Sequence, residues 1–299
     1  MTGAHGKGPD MPREPARSLA WVPISVLVAV VAMLVVAGRI AHPLPGALFE
    51  ARTIVTGTRA ETRMPALPDL LTEVLVKLSG DPGIVEDPRL AAATSAAGSL
   101  LAGHDYRDRM EGIAVHDDQG TYDRPYVLRA AFAPGPVGAI LKQLDRSPWR
   151  APRPLVMALV VVEKHGKARL MLADDEAGEE ISGQREAIDE TAARYGLSLA
   201  LPRAGAAAAI GLDGGSAALS DLEAALRLAR RLGGEAALVG RLRWADEGGW
   251  RGGWMLVAPG IHRSWETARG NSGDAIRSGL RTTLSLLSGH GMPAADPAE

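Results

Sequence analysis

Apolar and polar positions change period several times along the chain, and each change marks an element. Leu222, Ala225, Leu226, Ala229 and Leu232 recur at helical spacing, with Arg227, Arg230 and Arg231 off that stripe. Ser220 and Glu223 have the spacing of a capping box and predict the helix start. Gly233-Gly234 supplies the left-handed residue that ends it. A meander follows: strands over Ala236–Trp244, Trp250–Ala258 and Ile261–Arg269, with turns at 246–249 and Pro259-Gly260. Pairing Trp244 with Trp250 sets Leu242 opposite Gly252 and Gly240 opposite Trp254, so large side chains meet small ones on a covered face. On the other face the same register sets Arg243 against Arg251, a like-charge pair that suits solvent or an anionic partner.

Upstream, Phe49–Thr58 alternates as a strand, and Leu67, Leu70, Leu71, Val74, Leu75 and Leu78 form a helical stripe ended by Gly80. Pro88–Leu101 predicts a second, alanine-rich helix, Tyr126–Phe132 a strand, and Val137–Leu144 a short helix. Arg150-Ala151-Pro152-Arg153-Pro154 changes the composition and marks a domain boundary. Beyond it, Leu155–Val162 is a continuous apolar run, as expected of a strand buried on both faces, with Arg169–Leu172 as its neighbour. Ile181–Tyr195 reads as a helix, Leu197–Leu201 as a strand, and Ala204–Ala218 as a loop or weak helix over the sheet. Ser272 caps a last helix with Ile276, Leu280, Leu284 and Leu287 on one side. The pattern predicts an α/β (α+β) chain of two small mixed-sheet domains, 48–149 and 154–290, and a disordered tail at 291–299.

Residues 1–18 read as a disordered basic leader with Lys7, Arg13 and Arg17. Leu19–Gly38 carries no formal charge over twenty residues, enough for a helix to cross a ~30 Å hydrocarbon core, with Trp21 and Arg39 at its ends. A core helix is the bland alternative. The basic leader predicts a single-pass inner-membrane protein over residues 19–40, N-terminus cytoplasmic and the C-terminal domains periplasmic. Val35-Val36-Ala37 leaves open a cleaved signal peptide, but the run exceeds a typical signal core, which favours an uncleaved anchor.

Composition narrows function mainly by exclusion. With 46% hydrophobic and 23% charged residues the chain can build cores, and a net charge of −2 argues against nucleic acid as partner. The absence of cysteine removes disulfides, thiolate catalysis and cysteine metal sites. The seven histidines show no metalloprotease spacing, and no Gly-x-Ser-x-Gly, P-loop or Gly-x-Gly-x-x-Gly occurs. His104-Asp105 and His116-Asp117-Asp118 are the local His/carboxylate clusters, read as loop residues. No catalytic, cofactor-binding or metal-ligating residue is singled out.

Four of the six tryptophans fall between Trp244 and Trp265, beside Arg241, Arg243, Arg251 and Arg263. They would either stack on a sugar or anion, or lie under helices while the arginines snorkel outward. Strand parity favours the second. Arg241, Arg243 and Arg251 are therefore the candidate partner-binding residues.

Taken in order, Leu75–Gly80, Leu128–Phe132, Pro148-Trp149, Arg153-Pro154, Ala237–Leu242, Gly249-Trp250 and Arg263-Ser264-Trp265 resemble the uncharacterised bacterial family known as domain of unknown function 2066. The likeness runs from Leu48 to Leu287 and departs at Met64–Pro68 and at Ala133. It implies an exported or membrane-anchored envelope protein and brings no catalytic residues. The second half is also similar in layout to the α/β module preceding the periplasmic propeller of the Tol–Pal system. The expected function is a non-enzymatic protein-binding or assembly module contacting envelope proteins. The alternatives are a glycan or peptidoglycan binder using the Trp/Arg face, and a hydrolase built on His104–Asp118.

Overall fold

Two sheets arise from the two kinds of strand pattern. The computed structural model describes residues 1–3, 45–112, 124–174 and 178–293. The strands are β1 (Glu50–Thr56), β2 (Leu101–Asp108), β3 (Pro125–Phe132), β4 (Val156–Lys164), β5 (Lys167–Leu170), β6 (Leu199–Ala200), β7 (Ala236–Trp244), β8 (Trp250–Ala258) and β9 (Ile261–Glu266). The α-helices are α1 (Ala60–Arg63), α2 (Leu67–Ser79), α3 (Leu90–Thr94), α4 (Pro134–Gln143), α5 (Glu179–Tyr195), α6 (Ala204–Ala209), α7 (Leu222–Arg231) and α8 (Ser272–Leu287). The remaining basic leader and the apolar run 19–40 lie outside the described residues. Among those described, no helix is long and apolar enough to cross a membrane.

The first sheet has the order β1-β3-β2 and is wholly antiparallel, not mixed as expected. A helical excursion separates β1 from β2, and β3 follows β2 as its antiparallel neighbour. Ala51, Val55, Leu128 and Ala130 face one side, where α2 presents Leu67, Leu70, Leu71, Val74 and Leu75. Helix α2 ends as read, on Gly80 at φ 70. The second sheet has the order β5-β4-β7-β8-β9, with β6 sharing the outer edge of β4. The β4–β7 and β4–β6 pairs are parallel and the others antiparallel. One face packs Ala158, Val160, Leu238, Leu242, Trp254 and Leu256 on α5 and α8. The other packs Met157, Leu159, Ala237 and Val257 on Ala225 and Ala229 of α7. The inner face of the first sheet and the α5/α8 face of the second belong to one hydrophobic cluster within the compact unit Ala41–Glu299.

The β7–β8 register is the one the glycine/tryptophan alternation dictates, Trp244↔Trp250, Leu242↔Gly252 and Gly240↔Trp254. Several local expectations change. Asp221, not Ser220, caps α7 by accepting from the Ala224 amide at 2.6 Å, and Ser220 closes a preceding 3-10 turn. Asn271, not Ser272, caps α8, through the Asp274 amide at 2.8 Å. The alanine-rich helix shortens to α3, because its alanines offer no apolar stripe and Thr94 alone is buried. Strand β9 stops at Glu266, where Thr267 donates to the Gly252 carbonyl before the ladder slips to a Trp250↔Gly270 bridge. Residues 197–201 reduce to the two-residue β6, and 204–218 hold α6 with a 3-10 turn from Ala217.

Candidate functional site

Among the described residues, a concavity lies where β1, α2 and α5 meet. A cleft of about 520 Å³ is lined by Glu50, Arg52, Glu73, Lys77, Asp189 and Arg194 among others. A second, of about 360 Å³, shares Arg52, Glu73 and Arg194 and continues past Leu70, Val76 and Val85. Lys77 belongs to the last turn of α2 and is only 5% exposed. Its ammonium donates to the Glu50 carbonyl at 2.7 Å and pairs with Glu73 one turn earlier at 2.8 Å. Burial pushes Glu73 above its ordinary value, outweighing the charges of Lys77, Arg194 and Arg52. Asp189, across the cleft on α5, is raised by burial as well, against the pull of Arg185.

The junction is braced from behind. Arg153 stacks 4.2 Å over Trp149 and donates to the carbonyls of Gly196 and Lys77. Burial lowers it to about 10, so it stays charged at neutral pH. Gly196 ends α5 at φ 62, and an added Cβ would lie 3.1 Å from Leu48 and 3.4 Å from Lys77. Both its backbone and its crowding call for glycine.

Among the described residues, an open strand edge runs along this cleft. The Gly57 amide bonds the Arg124 carbonyl, so odd residues of β1 direct their backbone groups at β3. Even residues point away, which is why the Glu50 carbonyl is free to receive Lys77. The amides and carbonyls of Arg52, Ile54 and Thr56 thus form an edge facing away from the sheet. Ile54 is 54% exposed on the outer sheet face.

The residues singled out from the sequence lie elsewhere, on the α7 face of the second sheet. Arg243 and Arg251 are directly opposed, as read. Their repulsion is relieved within the chain: Glu163 on β4 bonds Arg243 at 2.8 Å and also pairs with Arg241. Burial would push Glu163 up, but the two guanidiniums outweigh it and hold it below its ordinary value. An anion for the pair is thus supplied within the chain, and Arg243 and Arg251 are both exposed. Trp250 and Trp254 are 5% and 3% exposed, so no sugar can stack on them. Trp244 meets Trp250 edge-on at 5.5 Å, and Lys164 already lies over both rings.

His104 and Asp105 sit on β2 rather than in a loop, both exposed. His116-Asp117-Asp118 lies outside the described residues. Among the described residues, no group of three or more His, Asp or Glu could hold a metal ion. Sequence reading missed the cleft. Its signal was a lysine with a glutamate four residues before it, set inside the apolar run Val74-Leu75-Val76-Lys77-Leu78.

Residues 46–150 match the model of the family described as Domain of unknown function (DUF8605). This corrects the resemblance to domain of unknown function 2066. The strings that suggested it encode a glycine-capped helix end and a buried strand, which recur wherever that local structure does. The match carries β1 and α2 and ends at the connection to the second sheet; the α5 wall of the cleft lies beyond it. No curated protein and no solved structure matches the chain, so the likeness to the Tol–Pal module is not carried forward.

Proposed function

We propose that this chain is a non-enzymatic binding module of the cell envelope that captures an extended segment of a partner protein along β1. The open β1 edge beside a cleft with a buried Lys77–Glu73 floor is the observation that carries this reading. In strand addition, backbone hydrogen bonds supply affinity, and neighbouring pockets select alternate side chains of the guest. Arg52, Arg129 and Arg194 at the rim suit acidic guest positions, while Glu190 and Asp189 suit basic ones. The guest is held by its backbone first and sorted by charge second. In the same proposal the uncharged run 19–40 anchors the chain in the inner membrane with the fold on the periplasmic side. Protease accessibility in spheroplasts checks that orientation.

The binding test is selection of displayed random peptides on the full chain, followed by titration against two variants. Ile54→Pro removes an outward amide from an edge strand, a position where proline is tolerated. Ile54→Ala keeps that amide. The reading expects binding to be lost with proline and retained with alanine. Equal binding by both would remove β1 as the docking edge. A second surface, Arg241/Arg243/Arg251, keeps a claim through exposed Arg243 and Arg251, weakened because Glu163 already pairs with Arg241 and Arg243. The glycan alternative loses its platform to the burial of Trp250 and Trp254.

A further inference from the structure

Among the described residues, the second sheet has its own unpaired edge at β9, and its sequence complements itself. Thr267 donates to the Gly252 carbonyl in register with the β8–β9 ladder. Odd residues of this segment therefore bond β8, and His262, Ser264 and Glu266 turn their backbone groups outward. The Arg263 side chain donates to the His262 carbonyl at 2.9 Å, which places that carbonyl on the outer side. His262, Arg263, Ser264 and Glu266 are exposed.

We infer that β9 is a self-association edge, pairing antiparallel with β9 of a second copy about a two-fold axis through Ser264. In this register Ser264 meets its own copy, and His262 and Glu266 exchange backbone bonds with the second copy's Glu266 and His262. Only outward-pointing groups are used. The side chains agree. His262 and Glu266 share the face that registers with Val257 and Gly253, so each imidazole lies opposite a carboxylate. Arg263 and Trp265 share the other face, registering with Leu256 and Trp254, so each guanidinium lies opposite an indole.

The neighbouring registers fail on chemistry. Sliding by one bonded pair in one direction sets Arg263 against Arg263, and in the other sets Trp265 against Trp265 and strands the charges. A slide of one residue opposes outward groups to inward ones. The β1 edge differs in kind: its start borders the cleft beside α2 and α5, which suits an extended segment. The self-complementary β9 edge takes the copy. Its guest must displace the Arg263 side chain from the His262 carbonyl, and that guanidinium then moves onto the facing Trp265.

The absence of cysteine makes the test direct. In the full chain, Ser264→Cys puts two thiols on the axis, where bonded-pair Cα atoms lie about 5.5 Å apart, within disulfide range. Mild oxidation is expected to give a covalent dimer much faster than in Ser95→Cys, an exposed control. Ser264→Pro, which deletes only an outward amide, is expected to weaken the dimer by about 10- to 100-fold in sedimentation equilibrium, from the loss of its two central bonds. Its thermal unfolding at low concentration should match the parent. A chain that stays monomeric, or a dimer unaffected by Ser264→Pro, overturns the inference.

Discussion

Gly279 sits inside α8, where glycine is the poorest helix former short of proline. On helix propensity alone, Gly279→Ala should stabilise the protein by about 1 kcal/mol. The packing reverses that sign. A Cβ at Gly279 would lie 2.6 Å from the Trp254 indole nitrogen and 2.7 Å from Cδ2, separations that real Cβ atoms do not show. The ring cannot retreat toward the sheet, since a Cβ at Gly240 would lie 2.5 Å from its Cζ3, so β7 already touches the indole from the opposite side. The indole fills a slot between a glycine of β7 and a glycine of α8. Relief requires α8 to lift from the sheet, and overpacking of this kind costs typically ~1–3 kcal/mol. Set against the propensity gain, Gly279→Ala should cancel the gain or destabilise the protein by up to about 2 kcal/mol. Urea titration of the full chain measures it, with an unchanged slope showing that the unfolded surface is the same. Trp254→Leu should remove most of the penalty, so the double variant should be less unstable than the single effects sum to. A Gly279→Ala protein more stable than the parent by the full propensity gain of about 1 kcal/mol would refute the slot.

Three further expectations follow from particular contacts. Because burial raises Glu73 above 4.5, the folded state holds its proton more tightly than the unfolded one. Stability from this group is full below 4.5 and declines as pH rises through the raised value; urea midpoints across the acidic range should show a slope that Glu73→Gln flattens. Asp221→Ala should cost about 1 kcal/mol, while Ser220→Ala should cost much less, by thermal melts, since the carboxylate is the cap. Glu163→Gln leaves Arg241, Arg243 and Arg251 clustered without a counter-charge, so the melting temperature should fall and then recover with added salt.

What could be read from the sequence is what a repeating pattern encodes. The meander's register was legible because Gly240, Gly252, Trp250 and Trp254 admit one steric solution across the ladder. Helix α2 was legible because its stripe and its left-handed Gly80 are both local. Strand β2 was not: it lies at an edge with His104, Asp105 and Arg107 exposed, so no alternation marks it. The caps shifted by one residue because Ser220 and Asp221, and Asn271 and Ser272, are adjacent residues with competing side-chain acceptors. The cleft was legible only in its Lys77/Glu73 floor, for a different reason. Arg52, Glu73, Asp189 and Arg194 come from three elements that only tertiary packing brings together. The arginines on β7 and β8 drew attention by their clustering, and Glu163, far away in sequence on β4, settles their charge.

The most direct test of the account is amide hydrogen exchange at β1, free and with a selected peptide bound. In the free protein the amides of Arg52, Ile54 and Thr56 should exchange fast, while Val55, directed at β3, is protected. On peptide binding those three alone should gain protection, because the guest strand bonds the outward groups. Protection confined to β7 and β8 around Arg243 and Arg251, with β1 unchanged, would contradict the account and move the docking surface to the other sheet.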